Sequence, residues 1–526
     1  KQKIIFYTQP KLLFLFTRYQ ILSRRSLISG AFKDYTILRE DLFSATDYRY
    51  ADHLASCLDE KIMSKLFNHK GISFLADWGG TEYSKHFISL ALNKEVKKIL
   101  VCVEYIKKVC ESEKIEGNIV IWPGNFSYRL YKTLRDLGEI PENIKLHPWA
   151  KIYLKLYSLL FTTYFFFKSL IYIEKITLRA SKSEDQKNYS VDSILHLDDG
   201  LFDTVQTFEN NKIFRMFSNP PLLINEEDRK QDWEDRASEN GYLYLRLDNI
   251  VRTISKTDYL KTFFKTHFKF RSELLLLLIR NPEIAQACYE ALRLRVLWDL
   301  FYKSHTTKNV LRTMIAENLT SSIVHKKNGV KTTFVYFSST EPVVTQRVKQ
   351  EKSICHEYSH MISDYVVSSK VSNSFIKSLE CSVGQYIDIG PIFREISKEV
   401  NANKKDYFSK LKIPKESKVI SFLDHTIGHI GVVNTNAYRK FLHAILDLAD
   451  KNQDVYFLFK TKKDIRNLNR LAGFNVAEII NQIQSKVNCL YANDYNLTSL
   501  EIIGIADLVV SAPMSSVIYE SLSAGV

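Results

Sequence analysis

No Cys-x-x-Cys pair occurs in this chain, and its seven cysteines (Cys57, Cys102, Cys110, Cys288, Cys355, Cys381 and Cys489) are odd in number and scattered. That excludes a zinc ribbon and a disulfide framework and points to a reducing cytosol. No internal repeat is evident, which removes solenoids and arrays. A long block of Lys and Arg is also missing, and the stretch from Lys1 shows no signal-peptide pattern. In the most aromatic segment, Lys151–Lys175, the longest uncharged run is Leu156–Phe167, well short of the roughly 20 apolar residues that span a bilayer.

The residues that are present fit a soluble globular chain. Its 526 residues are too many for one core and predict two or three domains. A net charge of +14 calls for an anionic partner. Because the basic residues are spread thinly, phosphorylated small molecules and an acidic bilayer are expected and nucleic acid is not. Lys151–Lys175 admits two readings. One is a helix in the headgroup region, with Lys151, Lys155, Lys168 and Lys175 reaching anionic lipid, a peripheral membrane contact. The other is a buried helix between domains.

Residues 1–189 read as a mostly helical region with short apolar runs at Ile72–Leu75, Ile99–Val103 and Ile119–Trp122, closed by a polar linker near Ser181–Asn188. From 190 to 395, strand-like segments at Ser193–Leu197, Tyr242–Leu247, Thr333–Phe337, Tyr365–Ser368 and Tyr386–Ile389 alternate with helical stretches. From 396 to 526 the alternation is regular. Strands are predicted at Val419–Leu423, Val455–Lys460, Val487–Tyr491 and Leu508–Ser511, with helices at Thr435–Lys451, Ile465–Ala472 and Leu497–Ile505. Such a pattern predicts an α/β fold: βαβ units, parallel sheets, and ligands at the carboxyl ends of the strands.

The chain closes on "IADLVVSAPMSSVIYESLSAGV", an apolar strand leading through Pro513 to Ser515 and Ser516 at the start of a helix. Unpartnered N–H groups and the helix dipole there favour an anion, and two hydroxyls add donors without bulk. One serine can equally be a simple cap. Glu520, one turn on, is placed for a ribose hydroxyl or for solvent. "VYFLFKTKK" brings Lys460, Lys462 and Lys463 to the same sheet edge, and "SFLDHTIGHIG" brings Asp424, His425, Gly428 and His429. Upstream, "SILHLDDGLFDTV" runs an apolar strand into Asp198-Asp199-Gly200. Adjacent carboxylates repel and can raise one toward a general base's range, though Asp-Asp-Gly is also plain turn chemistry.

"HEYSH", His356 to His360, fits the H-E-x-x-H pattern in which two histidines hold zinc and Glu357 activates water. A zinc hydrolase of that kind needs a long apolar helix and a third ligand. The next segment here is instead the strand-like Ser363–Ser368, with Glu380 as the nearby carboxylate. Zinc at His356 and His360 is therefore the alternative reading, and no metal or cofactor is the main expectation.

The closing stretch resembles the nucleotide-binding signature of GT-B glycosyltransferases, and more narrowly the bacterial surface-polysaccharide biosynthesis proteins named for a Pro-Phe-Thr-Ser motif. Pro513-Met514-Ser515-Ser516 stands in that place, with Met for Phe and Ser for Thr. The layout is also similar to bacterial sialyltransferases and their Kdo-transferring relatives. Those use an acidic pair plus glycine, a His-Pro motif, and a Ser-Ser pair on the CMP phosphate. By that resemblance Asp199 is the base, with Asp198 beside it, and Ser515 and Ser516 hold phosphate. The His-Pro motif is missing: Lys460-Thr461-Lys462 stands roughly in its place, so the group meeting the leaving phosphate would be a lysine or His425.

The resemblance implies a GT-B-like pair of Rossmann-like domains facing a cleft, 190–395 for the acceptor and 396–526 for the nucleotide sugar. Lys460, Lys462, Ser515, Ser516, Glu520 and Gly428 would bind the donor, a CMP-sugar among the candidates. The acceptor would be a glycan or lipid-linked precursor of lipopolysaccharide, O-antigen or capsule, at the inner face of the cytoplasmic membrane. A closing helix of this type normally leads to another strand, so the last part of the pocket is expected beyond Val526. A non-catalytic binding protein of the same fold stays open as a further alternative.

Overall fold

The structure is a computed structural model. It describes residues 3–6, 35–37, 73–112, 119–122, 128–146, 191–196, 221–225, 241–247, 282–312, 319–336, 361–377, 381–390, 394–424, 435–462, 465–472, 474–495, 497–511 and 516–526, besides a few isolated positions. The chain divides into two compact units, one of residues 1–182 with 256–296, the other of 183–255 with 297–526.

In the first unit, strands β1 (Lys3–Phe6), β2 (Tyr35–Ile37), β3 (Ile119–Trp122) and β4 (Ile144–Leu146) form a parallel sheet in the order β2-β1-β3-β4. The region expected to be mostly helical thus carries a sheet as well. Its strands are three or four residues long, and β2 and β3 are far apart in sequence, so local patterning hides them. Helix α1 (Ser73–Ser112) is about 60 Å long. It buries Tyr83, Phe87, Ile88, Leu92, Val96, Ile99, Val103 and Ile106, a stripe at three- and four-residue spacing. Helix α2 (Tyr128–Asp136) buries Leu130, Tyr131 and Leu134 on one face. No described helix is long and apolar enough to cross a membrane. Of Lys151–Lys175 only Ile152 is described, and it is exposed.

Helix α3 (Pro282–Ser304) belongs to the first unit up to Val296 and to the second from Leu297. The second unit contains two parallel sheets. The larger is built from β5 (Ser193–His196), β6 (Leu222–Asn225), β7 (Tyr244–Arg246), β8 (Asn309–Arg312), β9 (Lys331–Val335), β10 (Ile362–Ser368) and β11 (Ser382–Asp388). Its order is β7-β6-β5-β8-β9-β10-β11, every pairing parallel. Numbered from its own first strand this is 3-2-1-4-5-6-7, the doubly wound order of dinucleotide-binding sheets, with its direction reversing between β5 and β8. Helices α4 (Leu319–Lys327) and α5 (Lys370–Lys377) lie between its later strands.

The smaller sheet comes after α6 (Arg394–Ala402) and α7 (Lys404–Leu411). It contains β12 (Lys418–Leu423), β13 (Val455–Lys460), β14 (Cys489–Tyr491) and β15 (Leu508–Ser511), in the order β14-β13-β12-β15. Helices α8 (Thr435–Lys451), α9 (Ile465–Ala472), α10 (Val476–Gln484), α11 (Ser499–Ile505) and α12 (Ser516–Ala524) complete it. Side chains alternate between its faces with period two. Phe422, Phe457, Phe459 and Tyr491 pack with Tyr438, Leu442 and Ile445 of α8 and Ile480 and Ile483 of α10. Val419, Leu423, Leu458 and Leu490 pack on the other side with Phe408 and Leu411 of α7 and Ile502, Ile503 and Ile505 of α11. Covering on both faces is why these strands read as continuous apolar runs.

Local chemistry fixes the ends. Thr498 and Glu501 form a reciprocal capping box that starts α11. Asp507 accepts from the Val419 amide at 2.7 Å and pairs with Lys404 at 2.6 Å, joining the start of β15 to β12. The fold is therefore α/β with parallel sheets, and the strand order of each sheet reverses once.

Candidate functional site

In the smaller sheet the strand order reverses between β12 and β15, the kind of point at which open α/β sheets collect ligands beyond the carboxyl ends of their strands. Leu423 of β12 is in register with Lys460 of β13 on one side and with Ser511 of β15 on the other. Lys460 and Ser511 therefore flank Leu423 in one row, about 10 Å apart. Three loops predicted to meet at one edge do leave the sheet at that row.

Asp424, immediately after Leu423, is the residue that ties this edge together. Its side chain is 6% exposed. One carboxylate oxygen accepts from the Lys462 amide at 2.5 Å and the other from the Tyr438 hydroxyl at 2.8 Å. The Asp424 amide in turn donates to the Lys460 carbonyl. Thr461, between the two lysines, is buried: its amide donates to the Asn493 side chain, whose NH2 returns a bond to the Thr461 carbonyl. The Thr461 hydroxyl is 2.6 Å from the Tyr491 hydroxyl. The strand ends at Lys460, so Lys460 is half-buried while Lys462 turns out to solvent.

Burial pushes the Asp424 carboxyl up to about 7, against the opposing effects of the Lys462 amide, the Tyr438 hydroxyl and the charges of Lys462 and Lys460. Burial also lowers Lys460, with Asp424 and Glu501 resisting. Desolvation thus drives both groups toward neutrality while their attraction opposes it. A carboxyl that holds its proton more tightly when folded stabilises the fold most below its unfolded value near 4, and loses that contribution as pH rises to 7. Between pH 5 and 6.5, unfolding free energy should therefore fall by about 1.4 kcal/mol per pH unit from this group. Urea titrations of Asp424→Asn should lack that slope; equal slopes in the two proteins would contradict it.

Of the other donor-site candidates, Ser516 opens α12 and Glu520 lies one turn further along it, half-buried. Ser515, Gly428, His425 and Lys463 lie outside the described residues. So do Asp198, Asp199 and Gly200, and also His356, Glu357 and His360. Strand β10 begins at Ile362, two residues past His360. Among the described residues no group of His, Cys, Asp and Glu side chains is arranged to hold a metal.

The larger sheet has its own reversal point, between β5 and β8. Asp198 and Asp199 come shortly after β5, and Leu195 is in register with Leu311, so Arg312 stands level with His196 at the same edge. Arg312 is buried, with guanidinium nitrogens 3.3 Å from the Ser322 hydroxyl and 3.4 Å from His325 Nε2. His325 Nδ1 is 2.5 Å from the Tyr302 hydroxyl, and Trp298 packs edge-on against its ring. A guanidinium can only donate, so Nε2 accepts, the imidazole is neutral, and Nδ1–H donates to Tyr302. Sequence reading missed this group. Its signal was an arginine ending the short apolar run "NVLR".

No curated protein matches the chain. Among solved structures, the wall teichoic acid polymerase TagF is 12% identical, with 68% of this chain and 76% of that chain covered at a TM-score of 0.33. Anabaena Alr3699/HepE in complex with UDP and glucose is also 12% identical, with 63% and 78% covered at a TM-score of 0.31. Residues 274–526, which carry strands β8 to β15, match the family of polysaccharide biosynthesis PFTS motif proteins. The resemblance read from Pro513 to Ser516 is thereby met over that part of the chain.

Proposed function

We propose that the chain is a glycosyltransferase of polysaccharide assembly, moving a sugar from a nucleotide-sugar donor to a glycan or lipid-linked acceptor. The observation that carries the reading is topological. Each doubly wound sheet of the second unit has one reversal point, and the candidate residues come after the strands on both sides of the smaller sheet's reversal and after β5 at the larger one's.

In this reading the donor phosphate docks between Lys460, Lys462 and the start of α12, where Ser515 and Ser516 supply hydroxyl and amide donors. Glu520 takes a ribose hydroxyl, and the loop with His425 and Gly428 closes over the donor. Asp199, beside Asp198, takes the proton of the acceptor hydroxyl as that oxygen attacks the anomeric carbon. The bond to phosphate breaks, and the departing charge is met by lysines and helix dipole, so the step requires no metal. The basic balance and the aromatic, lysine-bearing Lys151–Lys175 support a working position beside anionic lipid at the inner membrane face.

The test is a thermal-shift panel of UDP-, GDP-, CDP- and CMP-linked sugars. One of them at a hundred times its dissociation constant should stabilise the protein by about 2.7 kcal/mol. Lys460→Ala should remove that shift. A panel with no stabilising member sinks the assignment.

A further inference from the structure

A surface turn that merely connects a strand to a helix does not need buried partners. The Lys460–Lys462 turn has several, contributed by different elements: Asp424 at the end of β12, Tyr438 behind it on α8, Tyr491 on β14, and Asn493 just after. The carboxylate at the centre of this lattice lies next to the two lysines expected to meet the donor's phosphate. Negative charge there opposes an incoming anion as well as positioning the cations.

We propose, resting on the donor-site reading above, that Asp424 is a proton-linked positioning residue: it organises the two lysines as a carboxylate in the empty site, and takes up a proton when a phosphate-bearing ligand engages them. The geometry allows both states. Ionised, Asp424 accepts from the Lys462 amide and the Tyr438 hydroxyl together. Protonated on the oxygen facing Tyr438, it donates to that phenol, which turns to accept, while the other oxygen keeps the Lys462 amide. The turn therefore keeps its shape as the charge disappears.

Among the described residues, the charged and titratable groups facing Asp424 are Lys460 and Lys462 from the β13 edge and Tyr438 from α8, with Tyr491 beyond Tyr438 and Glu501 beyond Lys460. Lys462 and Lys460 hold the carboxyl down, and a bound phosphate draws on the same charges. Binding then raises the carboxyl from its already elevated value near 7. Linkage requires the reverse as well: protonation tightens binding.

The experiment measures the dissociation constant of the sugar nucleotides in the same panel between pH 5.5 and 8.5, where their phosphodiester groups carry no titrating proton. Wild-type affinity should rise about tenfold as pH falls through the neutral range, the change that a shift of one pKa unit produces. Asp424→Asn imitates the protonated carboxyl. It should bind without pH dependence, as tightly as wild type at low pH and more tightly at pH 8.5. Tyr438→Phe removes one bond to the carboxylate and should move the wild-type midpoint upward. It serves as the second variant if Asp424→Asn does not fold. A residue needed only for structure gives the opposite result, weaker binding in Asp424→Asn at every pH, and that outcome or a flat wild-type profile overturns the proposal. Absence of binding by wild type at all pH values instead removes the donor site itself.

Discussion

Asp199→Ala is expected to lower sugar transfer by ~10²- to 10⁴-fold while leaving donor binding intact. A general base contributes about that factor because it takes its proton only in the transition state. Its loss should therefore appear in kcat and not in the affinity for the nucleotide sugar. The position supports a separation of roles. Asp199 follows β5 of the larger sheet in sequence, whereas Lys460, Asp424 and Ser511 stand at the edge of the smaller sheet. A single-turnover assay with the stabilising donor and a glycan acceptor measures the first quantity, and the thermal shift measures the second. Transfer at the wild-type rate would remove Asp199 from the mechanism. Loss of the thermal shift alongside loss of transfer would show that the substitution damages donor binding as well.

The second large effect concerns stability and lies away from the chemistry. Gly504 sits on α11 where that helix crosses α6. A Cβ at this position would lie 2.6 Å from the Ser397 carbonyl oxygen and 2.6 Å from the Val400 Cβ. Real side chains essentially never come that close, so Gly504→Ala must push α6 off α11. The Ser397 hydroxyl also bonds the Leu500 carbonyl across this contact. The expected cost is about 3 kcal/mol, the upper end for over-packing a tight core, read as a lower urea midpoint with an unchanged slope. Val400→Gly in the same chain should recover only part of it, because the clash with the backbone oxygen stays. A midpoint equal to that of wild type would show that α6 yields without cost. Because α11 leads directly into β15, a shifted α11 should also weaken the nucleotide-dependent stabilisation.

Much of the smaller sheet was legible from residues alone. The predicted bounds of β13 (Val455–Lys460), α8 (Thr435–Lys451) and α9 (Ile465–Ala472) are those observed. The strand "VYFLFK" is buried on both faces and so reads as an unbroken apolar run, and α8 keeps one apolar face at Tyr438, Leu442, Ile445 and Ala449. The larger sheet was harder. Strands β6 (Leu222–Asn225) and β8 (Asn309–Arg312) are only four residues each and were missed, and β8 brings in the buried Arg312. Helix α10 escaped because it begins three residues after α9, past Gly473 to Asn475, and the two read as one segment.

The sequence by itself determined the alternation of strand and helix, the lysines and hydroxyls that come after particular strands, and the family signature at Pro513–Ser516. All of these are local, set by period-two and period-3.6 burial and by turn chemistry within a few residues. Only the tertiary structure decided the order in which parallel strands lie. That order depends on where each crossover returns to the sheet, and it alone puts Lys460, Leu423 and Ser511 in one row. The state of Asp424 was decided the same way. Burial by the folded chain raises that carboxyl, while the Lys462 amide and the Tyr438 hydroxyl, brought to it from the β13 edge and α8, oppose the rise.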